Sequence, residues 1–131
     1  MKFMLLMQGT CKGFAALSSW TPDEVQAHIR FMMDLAKDLE HSGELVLAEG
    51  LDMPQHAKIV RAEQPGTPVI SDGPFAETKE FLAGFWIVQV PSERRAIEIA
   101  ARASTAPGPG GRPLGIPIEL RQVMCPPDIG G

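Results

Sequence analysis

Tyrosine is absent from these 131 residues, histidine occurs three times and cysteine twice, and aromatic side chains make up only 6%. Cys11 and Cys125 lie far apart and in no metal-ligand spacing. Neither a disulfide framework nor a structural zinc site is expected, and reduced thiols in a cytoplasmic protein fit this usage. Net charge is −4, and Lys and Arg form no run longer than Arg94–Arg95. That argues against direct nucleic-acid binding, which rests on clustered cations. No apolar run approaches the roughly 20 residues needed to cross a bilayer, so no membrane partner is expected. Met1 to Met7 holds one lysine in a short apolar run, but no small-residue cleavage site follows, and a first strand is the better reading. A Gly-x-Ser-x-Gly nucleophile elbow is missing. Gly108-Pro109-Gly110-Gly111 contains proline and opens no helix, so it fails as a phosphate cradle. No cofactor and no metal are expected.

What is present suits one domain with a modest core: 44% hydrophobic and 21% charged residues. Lys2 to Gln8 reads as a buried strand. Gly9 to Trp20 carries no strong pattern and reads as a loop. Thr21-Pro22-Asp23-Glu24 announces a helix through a cap, a first-turn proline and a capping box. Val25, Ile29, Met32, Ala36 and Leu39 give it an apolar stripe to about Glu40, and Gly43 ends it. Glu44 to Leu51 is a strand. His56 to Glu63 and Pro68 to Ser71, around Gln64-Pro65-Gly66-Thr67, read as an inserted hairpin. Gly84 to Val90 is another buried strand, Ser92 caps a helix to about Ala103, and Ile118 to Met124 is the last strand. Residues 106–117 form a Pro/Gly-rich loop, and 126–131 a tail. The order is an α+β, ferredoxin-like βαββαβ unit with an inserted hairpin.

Two helices cover one face of such a sheet. Phe3, Leu5, Met7, Val46, Ala48, Trp86, Val88, Ile118 and Leu120 are assigned to it. Met4, Leu6, Leu47, Phe85 and Ile87 fall on the other, too apolar to leave in water, so a homodimer with sheets face to face is expected. At about 25 cal/mol per Å², such a patch supplies on the order of ten kcal/mol before association costs. Gln8, Glu49, Gln89, Glu119 and Arg121 share that face and must pair with one another, with water or with a ligand.

The run Asp72-Gly73-Pro74-Phe75-Ala76-Glu77-Thr78-Lys79-Glu80 resembles the signature of the DGPF, or YCII-related, proteins. Met1 to Leu6, Gly43 followed by Ala48-Glu49-Gly50-Leu51, Gly84 to Ile87 and Ile118 to Val123 are similar to that family as well. The resemblance implies the dimeric α+β barrel. For the wider family an enzymatic role has been supposed from a histidine–aspartate pair in a cleft, and some members accompany sigma factors, which implies a link to transcription. Family register, counted back from Gly50, places Met32 and Leu35 where the first-helix histidine is expected, with His28 several residues early.

The candidate site follows. Asp72 either bonds its own backbone in a Gly-Pro turn or acts as a general base at a cleft mouth. Glu77 and Lys79 either pair at the surface or bind substrate, with Lys79 suited to an anionic group. His28 faces the core side of its helix, as a hydrogen-bonded histidine or as a catalytic one. Asp72, Glu49 and His28 are therefore the candidate catalytic residues, and Arg121, Lys79, Glu77 and Gln89 the candidate substrate-binding ones. The function expected is small-molecule binding, or cofactor-free acid/base chemistry on a small anionic molecule, in a pocket between the sheets of a homodimer. The alternative is a non-enzymatic ligand-sensing or protein-interaction module linked to sigma-factor-dependent transcription.

Overall fold

The computed structural model describes residues 1–72 and 80–125. Its frame is a four-stranded sheet ordered β2 (Leu45–Gly50), β5 (Glu80–Gln89), β1 (Lys2–Thr10) and β6 (Ile118–Gln122), with every neighbouring pair antiparallel. Helices α2 (Pro22–His41) and α3 (Glu93–Ser104) lie on one face, which makes the expected ferredoxin-like α+β unit. β3 (Lys58–Gln64) and β4 (Thr67–Asp72) form the separate hairpin.

Local chemistry fixes the ends of the helices. The Thr21 hydroxyl accepts from the Glu24 N–H at 3.2 Å, while the Glu24 carboxylate accepts from the Thr21 N–H at 2.8 Å. Gly43 closes α2 at φ 78°, a conformation costly for any residue with a Cβ. The Ser92 hydroxyl caps α3 by accepting from the Arg95 N–H.

The core lies between these helices and the sheet. Leu5 and Val88 are fully buried with Leu35 and Leu39 of α2 and Ala96, Ile99 and Ala103 of α3. The spacing His28, Met32, Leu35, Leu39 is the inward stripe of α2. Val25 and Ile29 turn outward instead, Ile29 being 51% exposed, because the stripe runs one position round from the one they would join.

Two further expectations are corrected. Val46 is 51% exposed, because the pairing of β2 with β5 shifts between Leu45 and Leu47, and Leu45 takes its place against the core. Gly9 to Trp20 is no plain loop: β1 runs to Thr10, a short helix α1 (Cys11–Ala16) follows, and a 3₁₀ turn spans Leu17–Ser19. The Pro/Gly-rich loop is anchored, with Ala106 buried and the Gly110 N–H donating to Glu24 at 2.6 Å. Among the described residues no helix is long and apolar enough to cross a membrane.

Candidate functional site

The sheet's core face has a gap at one level. Met7 opposes Gly84, and Gly84 opposes Gly50, so the half of that row on β5 and β2 carries no side chain, while Ile118 and Met7 fill the half on β6 and β1. Gly84 is held to glycine by close approach: a Cβ there would stand 2.9 Å from the Glu49 carbonyl oxygen. At Gly50 a Cβ would meet nothing within 4 Å. The result is a recess of about 310 Å³ between the sheet and α2, lined by Met7, His28, Met32, Ala48, Glu49 and Trp86, among others.

A second recess, also about 310 Å³, shares Met7 with the first. Leu17 and Trp20 form one wall, Leu114 to Pro117 another, and His28 and Met7 close it toward the first. Its lining is apolar apart from Gln8, Thr10 and His28, and no Lys, Arg, Asp or Glu borders it among the described residues.

His28 is the polar group that both recesses share. Its Nδ1 lies 3.0 Å from the Pro107 carbonyl oxygen, and its ring meets Trp20 edge to face at 5.8 Å between centroids. A carbonyl can only accept, so Nδ1 carries the proton and Nε2 of the neutral ring is left as an acceptor. Among the described residues no protein group bonds Nε2, and no buried side-chain nitrogen or oxygen lacks a partner, so this atom lies open. The loop that supplies Pro107 is tied to α2 a turn earlier by Glu24 and Gly110. The N–H groups of Thr21 and Gly110 hold the Glu24 carboxyl below the usual glutamate range.

The other candidates are spread out. Glu49 borders the recess that His28 lines, but its side chain falls on the opposite face of the sheet, in the row of Phe85 and Leu6. Arg121 is on β6, at the opposite edge of the sheet from Glu49 on β2. Three strand spacings separate those edges, roughly 14 Å. Gln89 ends β5, exposed and opposite Lys2. Asp72 ends β4 and pairs with Lys58, which holds its carboxyl below the usual aspartate range through a hydrogen bond and charge. The structure thus places His28 in the recess, puts the Glu49 side chain on the other face of the sheet, and leaves Arg121, Gln89 and Asp72 elsewhere. Glu77 and Lys79 lie outside the described residues.

Sequence reasoning passed over Trp20, Met7, Gly50 and Gly84 as site residues. Glycines inside two strands were the available signal, since strand glycine marks close backbone approach or missing bulk.

A third hollow, about 360 Å³, lies beside a His–Asp pair: His56 Nδ1 is 3.1 Å from Asp52 Oδ2. The Met53 N–H and His56 hold the Asp52 carboxyl below its usual range. Both side chains are exposed, with His56 closing the 3₁₀ turn Pro54–His56. No group of three or more potential metal ligands gathers among the described residues.

The sheet's open face carries two apolar rows. Leu6 stands between Phe85 and Glu119, with Glu49 beyond Phe85; Met4 stands between Ile87 and Arg121, with Leu47 beyond Ile87.

The model of the YCII-related domain matches residues 1–108. An "Uncharacterized protein R00369" of Rhizobium meliloti (strain 1021) is 32% identical over 109 residues, covering 79% of this chain and 87% of that protein. With its antiparallel ferredoxin-like frame and this match over most of its length, the chain belongs to the YCII-related family.

Proposed function

We propose that this protein binds a small, largely apolar molecule against His28 and uses Nε2 to accept a hydrogen bond, or a proton, from it. The observation that carries this reading is the fixed imidazole: Nδ1 is committed to the Pro107 carbonyl, and the ring borders two largely apolar recesses. Away from water a hydrogen bond is stronger, so one acceptor in an apolar cleft gives orientation as well as affinity. Where the bound molecule has an acidic O–H or C–H, the same atom serves as general base without a cofactor. The absence of Lys or Arg from both linings, among the described residues, favours a neutral ligand over an anionic one.

We also propose that a second copy covers the open face. Half-buried Met4, Leu6, Phe85 and Ile87 are contiguous there, and Arg121 stands one row from Glu49 and Glu119, so opposite charges are available to pair as two copies close. The exposed thiol of Cys125 suits the reducing cytoplasm.

Phenol, an apolar O–H donor, is the test ligand. Titration followed by the Trp20 indole N–H resonance should show saturable binding, weakened about tenfold in His28→Phe, the loss of one buried hydrogen bond. No response at Trp20, or equal affinity in the variant, would overturn the assignment to His28. Ligand binding without turnover of any enolisable probe would favour the sensing reading over the enzymatic one.

A further inference from the structure

We infer that the two recesses are lobes of one ligand site divided by the Met7 side chain, and that the ligand is an apolar molecule whose hydroxyl sits at its middle. This rests on the reading of His28 above. Met7 and His28 border both hollows, and the remaining lining residues border only one or the other. Beyond Met7 the row continues through Gly84 and Gly50 without a side chain, so on that side of the sheet no bulk stands beside it. Its methyl lies 3.6 Å from where a Cβ on Gly84 would be, over the glycine floor. Methionine is unbranched, with three rotatable bonds, and re-packs at low cost, so it parts for a ligand that spans both sides.

Chemistry sets the shape of that ligand. His28 is at the junction, not at either far end, and Nε2 is the ring nitrogen it has left to accept with, which puts the donor hydroxyl between two apolar arms. One arm lies beside Trp20, Leu17 and Leu114; the other lies over Gly50 and Gly84, beside Met32 and Trp86. A phenol with an alkyl group ortho to its hydroxyl has this arrangement. A phenol with the same alkyl group in the para position does not.

Each lobe has its own reporter, since Trp20 lines one and Trp86 the other. Phenol should shift the Trp20 indole N–H resonance alone. 2-Butylphenol should shift both and bind more tightly, by about fourfold for each buried methylene. 4-Butylphenol, with equal apolar area, should fall well short of it. Gly50→Val fills the second lobe, in a strand that accepts a β-branched residue, and should bring the affinity ratio of 2-butylphenol to phenol close to one. Gly50→Ala should move that ratio part of the way, and serves if the valine variant does not fold. If phenol binds but alkyl position and Gly50 substitution leave the ratio unchanged, the two-lobed site is overturned while the His28 cleft stands. If neither phenol nor 2-butylphenol perturbs either tryptophan, both readings fall.

Discussion

The two faces of the four-stranded sheet differ in what each lacks. On the helix side α2 and α3 supply the cover, and what is missing is side-chain bulk, at Gly50 and Gly84. On the open side the side chains are all there, Met4 with Ile87 and Leu6 with Phe85, and the cover is missing. A hole under a roof is the size of a small molecule. A filled surface without a roof is the size of another protein. One alternating pattern thus makes two different kinds of site, and substitutions one residue apart tell them apart.

Leu5→Ala carries the largest effect. Leu5 is fully buried among both helices, and its loss should cost about 3 kcal/mol in denaturant unfolding at any protein concentration. Leu6, the next residue, points the other way. Leu6→Ala should cost about 1 kcal/mol in dilute protein and more as concentration rises, because only the associated form buries it. Equal costs at all concentrations would mean that the open face is not open.

Leu6→Asp sharpens the same contrast without touching the core. A charge at the centre of the apolar rows should raise the dimer dissociation constant at least a hundredfold in sedimentation velocity, with the circular dichroism spectrum unchanged. A wild type that sediments as a monomer at micromolar concentration would remove the homodimer altogether.

Next comes the clamp on the covered side. Glu44, just before β2, accepts from Arg95 of α3 through both Nε and Nη2 at 2.8 Å, and its side chain is only 13% exposed. Glu44→Gln should cost about 1 kcal/mol, more than a typical surface pair because the fork is bidentate. The sign in pH follows from the direction of the shift. Arg95 first, then the Ser42 hydroxyl, lowers the Glu44 pKa below its ordinary 4.5. The contribution is therefore whole above about pH 4.5 and disappears as pH falls through the lowered value. Unfolding curves of wild type and variant should converge in acid and separate by pH 6.

The frame was legible because its signals are local. Thr21 to Glu24 spells a helix start, Gly43 a stop, and Ser92 a second start, and each does in the fold what its chemistry dictates. The antiparallel order followed from counting elements. The site was less legible because it is assembled over distance. His28 is given its role by Pro107, 79 residues on, and no spacing rule connects the two. Glu49 and Arg121 share a face in any alternation count, yet only strand order reveals that two strands lie between them. A bulge is equally silent in sequence, and the one at Leu45–Leu47 is what moved Val46 out of the core.

The smallest effect is expected on the hairpin, which belongs to neither face. Among the described residues β3 and β4 pair only with each other, in a two-stranded sheet, and Val60 and Ile70, opposite one another, are 60% and 62% exposed. Asp72 closes its open end against Lys58, with a side chain 84% exposed, and borders neither lobe around His28. An exposed pair of this kind gains little because water screens it and two long side chains must be held still. Asp72→Asn should therefore leave the unfolding midpoint unchanged within error, and phenol affinity within twofold. The general-base role would return to Asp72 if the asparagine variant lost turnover of an enolisable probe while still binding phenol. That combination belongs to His28, which borders both lobes and has Nε2 left to accept.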